Sequence, residues 1–91
     1  MSTQGTDYNG WESWDHWQTA LWISNYQAFY EYLQEKTEQA VYNLVSKDHA
    51  VNCVFNWLCE VTEKTPDGAV WQRDVVARLL DEEYEEMLQY S

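Results

Sequence analysis

Apolar side chains along this chain recur three and four residues apart, which is the period of an α-helix and not the alternation of a strand. The first such run follows Ser13, a residue type that favours the N-cap position, and continues to about Ser24. Its apolar residues fall at positions i, i+3, i+7 and i+8, and they are Trp14, Trp17, Leu21 and Trp22. The pattern predicts an amphipathic helix with one apolar stripe.

A second helix is predicted to begin almost immediately. Ser24 and Gln27 fit a capping box, which places the start of this helix near Tyr26. Its apolar positions are spaced alternately by four and three residues, and they are Tyr26, Tyr30, Leu33, Thr37, Ala40 and Leu44. We expect a helix of about five turns that ends near Val45.

Two more helices follow, separated by a turn. Ser46 or Asp48 can cap the third helix. Its predicted core face is Val51, Val54, Leu58 and Val61. The sequence Thr65-Pro66-Asp67-Gly68 then predicts a turn, because proline presets φ and glycine accepts a positive φ. The fourth helix is predicted to reach the end of the chain through Val75, Val76, Leu79, Leu80, Tyr84, Met87 and Leu88. The prediction is therefore an all-α fold, a compact bundle of about four helices.

The length and the aromatic content predict one small domain with large core side chains. Residues 1–10 are small and polar and are expected to form a flexible N-terminal segment, so the single helical domain is expected to span residues 11–91. A chain this short buries little surface unless its core residues are large. Six Trp, seven Tyr and two Phe supply such residues, which predicts a Trp/Tyr-rich core.

The tryptophans near the N-terminus allow two interpretations. Trp11, Trp14, Trp17 and Trp22 either form a stacking platform for nucleic-acid bases or fill the core. Stacking platforms lie in basic grooves, and no Lys or Arg is close to this cluster in sequence, so the helical spacing favours the core. Trp71 lies beside the turn and off the main apolar stripe. We expect it to be exposed and to anchor a partner.

The charge of the chain restricts its partners. Sixteen Asp and Glu face five Lys and Arg, which gives a formal charge of -11. Nucleic acid and anionic membranes repel such a chain, so we expect no direct nucleic-acid binding and no membrane partner, whereas basic surfaces attract it. No apolar run approaches the roughly 20 residues that span a bilayer, and the N-terminus lacks the basic and apolar parts of a signal peptide. We expect a cytoplasmic protein.

Residue types that carry metal or covalent chemistry are few. Cys53 and Cys59 lie about 120° apart around a predicted helix, so they are expected to be free thiols. His16 and His49 have no partner at a recognised zinc-ligand spacing, so no metal and no cofactor is expected. His49 and Cys53 are four residues apart on one helix, but nothing nearby favours the thiolate. We therefore expect no enzyme activity.

The acidic residues are concentrated on two of the predicted helices. The fourth helix carries Asp81, Glu82, Glu83, Glu85 and Glu86, and the second carries Glu31, Glu35 and Glu38. Carboxylates one helical turn apart lie roughly 5–6 Å from each other, a spacing not far from that of the charges along a nucleic-acid strand. We call these two rows of carboxylates the acidic ridges. They are either an ordinary solvated surface or a phosphate-like array that binds a basic partner, and the sequence leaves both interpretations open.

The chain carries a tryptophan-rich motif near its N-terminus that reads roughly Y-N-G-W-x-x-x-[ED]-x-W-x-x-x-L-W-I-x-N. The residues that form it are Tyr8, Asn9, Gly10, Trp11, Asp15, Trp17, Leu21, Trp22, Ile23 and Asn25. This motif resembles that of a family of small uncharacterised proteins from phages, plasmids and bacterial genomes. Where such proteins carry Asp or Asn before a Trp near the C-terminus, this chain has Glu83-Tyr84. The resemblance implies no catalytic residues, and it implies a mobile-element protein that acts by binding a host protein.

Together these features predict a non-enzymatic inhibitor or regulator that binds the basic surface of a host nucleic-acid-handling protein. It would be of the anti-CRISPR, anti-restriction or DNA-mimic type. The alternative is a homo-oligomer, such as a homodimer, that serves as a structural or assembly factor. That alternative depends on Phe29, Tyr32 and Tyr42, which place aromatic side chains on more than one side of the second helix.

Overall fold

The part of the chain that the structure describes is a bundle of four α-helices. The computed structural model describes residues 10–89, and the predicted flexible segment lies outside that range except for Gly10. The helices are α1 (Trp14–Asn25), α2 (Gln27–Val41), α3 (Lys47–Val61) and α4 (Arg73–Gln89). Within residues 10–89 no strand forms, and an isolated antiparallel bridge joins Lys64 to Val70. The all-α prediction is confirmed.

Helix α1 begins as predicted, but the transition to α2 differs from the prediction. Ser13 caps α1, since its Oγ accepts a hydrogen bond from the His16 amide at 3.3 Å. The predicted capping box at Ser24 is wrong, because Ser24 remains inside α1 and α2 has no side-chain cap. Tyr26 alone separates the two helices in an extended conformation, and its amide still donates to the Trp22 carbonyl at 2.9 Å. The Tyr30 amide then donates to the Tyr26 carbonyl at 3.0 Å, which begins the hydrogen bonding of α2 directly after the bend.

Helix α2 ends at Val41, earlier than the predicted Val45. Asn43 adopts a left-handed conformation with φ of 62°. The Leu44 amide then donates to the Gln39 carbonyl at 2.9 Å, and the Asn43 amide to the Ala40 carbonyl at 3.0 Å. This pair of bonds is a Schellman motif, which satisfies the last carbonyls and stops the helix.

The connection from α3 to α4 contains the predicted turn. Gly68 has φ of +93°, and its amide donates to the Thr65 carbonyl at 2.8 Å. The Thr65 hydroxyl accepts a hydrogen bond from the Ala69 amide at 2.9 Å, which tightens the turn. The turn sends the chain back across the bundle, so that Trp71 enters the core.

Helices α2, α3 and α4 pack against one another in every pairing, and α1 packs on α2 and α4. The residues of the core that are almost without solvent contact include Ile23, Leu33, Val54, Leu58, Val76 and Leu80. Val61 was predicted on the core face of α3 and is 53% exposed, so that prediction is wrong. Three other apolar positions of the predicted helices are also exposed, and they are Tyr26, Leu44 and Leu88.

The aromatic residues form a packed cluster, as the composition predicted, and its central tryptophans are Trp57 and Trp71. The Tyr32 and Trp57 rings stack with centroids 4.2 Å apart, and Phe29 contacts the Trp57 and Trp71 rings edge-on at 5.6 and 5.7 Å. The prediction that Trp71 is exposed is wrong. Its side chain is 3% exposed, and its indole N–H donates to the Thr62 carbonyl at 3.0 Å.

The predicted tryptophan stripe of α1 is only partly buried. Thr19 and Ile23 are fully buried, while Trp14 is 39% exposed, so the prediction that Trp14 lies in the core is wrong. Trp22 packs against the core as predicted, and Trp17 is half-buried. The Thr19 hydroxyl accepts a hydrogen bond from the Gln72 amide, just before α4, at 3.2 Å, so a small polar side chain occupies the position where α1 meets this connection.

No helix in the described part of the chain combines the length and apolar character that crossing a membrane requires.

Candidate partner-binding surface

The junction between α2 and α4 is built around one carboxylate. Glu83 of α4 accepts a hydrogen bond from the Tyr30 hydroxyl at 2.9 Å and another from the Gln34 side-chain amide at 3.1 Å. Both oxygens of Glu83 therefore have partners on α2. This half-buried carboxylate holds the two helices together at the surface and brings a negative charge into the junction.

A cleft of about 440 Å³ lies on one side of this junction. It is lined by Glu31, Gln34, Glu35 and Glu38 of α2 and by Met87 of α4. The three glutamates are exposed, so their carboxylates surround an opening whose far wall is apolar.

A second cleft of about 290 Å³ lies on the other side. Its lining is Ser24, Tyr30, Leu33, Leu79, Glu82, Glu83 and Glu86. Gln34 lines the first cleft and bonds Glu83 of the second, so the two clefts are adjacent. We call the combined surface the acidic groove and define it by six residues, Glu31, Glu35, Glu38, Glu82, Glu83 and Glu86.

Cations neutralise only part of the predicted acidic ridges. Lys47 binds Asp81 at 2.7 Å and lies over the Tyr84 ring, and Arg78 approaches Glu82 at 3.6 Å. The hydrogen bond to Asp81 is the largest of the effects that raise the pKa of Lys47. Within residues 10–89, no Lys, Arg or His forms an ion pair with the remaining five glutamates of the groove.

Two of the predicted ridge residues lie away from the groove. Asp81 is paired with Lys47 at the start of α3, and the charge of Glu85 also raises the pKa of Lys47. Residues 81 and 85 are one helical turn apart and so share a side of α4. The structure therefore brings six of the eight predicted carboxylates together and separates Asp81 and Glu85 from them.

The pKa of Tyr30 reports the electrostatics of the groove. Burial is the main cause that raises it, and the hydrogen bond to Glu83 and the negative charges of Glu83 and Glu86 add to the effect. A phenolate at this position would stand among carboxylates, so the protonated form is favoured.

The other candidate residues from the sequence contribute little to this surface. Trp71 is buried and is unavailable as a surface anchor. Phe29 is buried as well, and Tyr32 is half-buried in its stack with Trp57, so of the three aromatic residues considered for self-association only Tyr42 is well exposed, at 64%. Cys59 is an exposed free thiol whose pKa is raised by desolvation.

One cluster of side chains was missed by the sequence analysis. Glu12, His16 and Asp74 each place a ligand-type atom within 4.8 Å of the others. Glu12 and His16 are four residues apart, which is a recognisable helical spacing, but Asp74 is 58 residues farther along the chain than His16. Only the packing of α1 against the start of α4 brings the third member into place.

The fold and this surface define the class: a small all-α protein with an acidic groove between two of its helices. The chain belongs to DUF7249, a family of unknown function, whose model matches residues 4–90. No curated protein and no solved structure matches the chain.

Proposed function

We propose that this protein is a non-enzymatic, acidic protein of a phage or plasmid that binds a host nucleic-acid-handling protein and inhibits or regulates it. The observation that carries the proposal is the acidic groove, in which six carboxylates line two adjacent clefts. The partners we propose are a CRISPR effector, a restriction enzyme or a transcription component, because proteins that bind nucleic acid present basic surfaces that attract carboxylates. The proposed site of action is the cytoplasm of the host cell.

The spacing of the groove supports mimicry of a polyanion. Glu31 and Glu35 are one turn apart on α2, and Glu82 and Glu86 are one turn apart on α4, so each pair presents charges roughly 5–6 Å apart. The helices hold these charges on a rigid scaffold, and the steering between opposite charges accelerates association with a basic partner.

The energetic cost of the arrangement also supports a functional role. Glu82 and Glu86 are like charges on one helix face, and such a pair destabilises a helix by a few tenths of a kcal/mol. The last turn of α4 contains no basic residue, so these acids also lie toward the negative end of the helix dipole. Side chains that lower the stability of the fold are expected at functional sites, so the placement of Glu82 and Glu86 is consistent with a binding surface.

The test is capture of partners from a bacterial lysate with matched variants. The groove variant combines Glu35→Gln, Glu38→Gln and Glu86→Gln, and the control variant combines Glu60→Gln, Glu63→Gln and Asp67→Asn. All six positions are exposed, and both variants lose the same charge. We expect the wild type and the control to retain a nucleic-acid-binding protein at low salt, and the groove variant to lose it.

Two further conditions make the test decisive. Added double-stranded DNA is expected to release the captured protein, because both compete for one basic site, and rising ionic strength is expected to weaken capture. Equal capture by the groove variant, or affinity that does not change with salt, would rule out the charge-based mechanism.

A further inference from the structure

A cluster of three potential metal ligands lies where α1 meets the start of α4. The His16 Nε2 atom is 3.0 Å from Asp74 Oδ2 and 3.8 Å from Glu12 Oε1. We propose that Glu12, His16 and Asp74 form a binding site for a divalent transition metal of the zinc type. This proposal goes beyond the function proposed for the acidic groove and does not depend on it.

The distances fit a small metal ion. Zinc binds imidazole nitrogen and carboxylate oxygen at about 2.0–2.2 Å, so neighbouring ligand atoms around a tetrahedral ion lie about 3.3 Å apart. The distances from His16 Nε2 to its two carboxylate partners lie on either side of this value, at 3.0 and 3.8 Å. Glu12 is 79% exposed, so its side chain is free to make the small adjustment that remains.

The histidine is held as metal-binding histidines usually are. Its Nδ1 atom lies 2.7 Å from Ser13 Oγ, while Nε2 faces the two carboxylates. The Ser13 oxygen has two lone pairs, one of which accepts from the His16 amide. The second accepts from Nδ1–H when the proton lies on Nδ1, and that tautomer leaves the Nε2 lone pair for a metal.

The ligand set selects the kind of ion. An imidazole nitrogen favours zinc and its transition-metal neighbours over magnesium and calcium, which prefer oxygen ligands only. The imidazole is 17% exposed and so is held firmly, whereas Asp74 is 61% exposed and free to adjust. Three protein ligands leave one position of a tetrahedral ion open to water.

A metal at this site would join two parts of the chain that are distant in sequence. His16 lies in the first turn of α1, and Asp74 lies in the first turn of α4. An ion that binds the folded state and not the unfolded chain stabilises the fold by mass action. Binding is therefore expected to raise the unfolding temperature as well as to be detectable directly.

The test uses Zn²⁺ alone, titrated by calorimetry into protein that carries Cys53→Ser and Cys59→Ser, so that thiols cannot bind the metal. We expect one ion per chain and a higher unfolding temperature with Zn²⁺. Adding His16→Gln or Asp74→Asn is expected to weaken binding at least tenfold. The control is His49→Gln, which removes an exposed histidine of α3 and is expected to leave binding unchanged.

The experiment needs a control for folding, and two outcomes would contradict the proposal. Circular dichroism without metal establishes that each variant keeps its helices, and Asp74→Asn retains a carbonyl oxygen that can still accept from the His16 ring. If the His16→Gln and Asp74→Asn variants bound Zn²⁺ as tightly as the parent protein, the proposed site would be overturned. Binding of several weak ions per chain would also overturn it, because it would show diffuse binding to the acidic surface.

Discussion

Trp71 has the clearest structural role of any single residue in this protein. Its ring packs edge-on against Phe29 in the core, and its indole N–H is satisfied by the Thr62 carbonyl. The residue comes from the connection before α4 and not from a helix, so it closes the core at the point where the turn at Gly68 returns the chain. Its large buried surface and its hydrogen bond both contribute to stability.

We expect Trp71→Ala to reduce the free energy of unfolding by about 3–5 kcal/mol, because it leaves a large cavity and an unpaired backbone carbonyl. Trp14→Ala is the matched control, since Trp14 is 39% exposed, and it is expected to cost about 1 kcal/mol or less. Urea unfolding followed by circular dichroism measures both. Equal losses for the two variants would contradict the placement of these tryptophans.

At the scale of helices, the junction of α2 and α4 determines whether the acidic groove exists. Its central contact is the hydrogen bond from Tyr30 to Glu83, and Gln34 occupies the other oxygen of the same carboxylate. Glu83 is 53 residues from Tyr30 and 49 residues from Gln34 in sequence, but the three side chains are adjacent at the surface. The groove therefore depends on a contact that also stabilises the bundle.

We expect Tyr30→Phe to reduce the free energy of unfolding at neutral pH by about 1 kcal/mol, since it removes a hydrogen bond to a charged acceptor that is partly exposed. The pKa of Tyr30 is raised in the folded state. The contribution of Tyr30 to the free energy of unfolding is therefore fully present below the ordinary tyrosine pKa of about 10, and it is lost as the pH rises through the pKa of Tyr30 in the folded protein. The difference between wild type and Tyr30→Phe is therefore expected to disappear in strong alkali. Urea unfolding of both proteins at neutral and alkaline pH measures it, and a difference that stays constant would contradict the contact.

For the molecule as a whole, self-repulsion opposes folding. The formal charge is -11, and the described ion pairs between Lys or Arg and carboxylates are the two at Asp81 and Glu82. A large net charge destabilises the compact state, and salt screens repulsion over distances beyond about 10 Å at 0.1 M. The same charge is what would attract a basic partner.

We expect the unfolding temperature to rise as sodium chloride is added from low ionic strength, because screening relieves this repulsion. The variant with Glu35→Gln, Glu38→Gln and Glu86→Gln should start at a higher unfolding temperature and respond less to salt. Scanning calorimetry at several salt concentrations measures both effects. A fall in unfolding temperature with salt would mean that attractive pairs dominate and would contradict the prediction.

The sequence by itself determined the helices, their approximate bounds and the turn between α3 and α4, because these depend on local spacing, caps and backbone preferences. Ser13, Ser46 and Gly68 act as their residue types predict. The early end of α2 was not predicted. It depends on the left-handed conformation of Asn43, which is one of several conformations that the local sequence permits.

The tertiary structure alone decided which side of each helix is covered and which distant residues meet. Trp71 is buried and Trp14 exposed because of where neighbouring helices lie, which periodicity along one helix does not specify. The carboxylates were visible in the sequence, but their division between the acidic groove and the Lys47 side of α4 follows from packing. The cluster of Glu12, His16 and Asp74 had the least local signal, because it forms only when two helix starts separated by most of the chain come together.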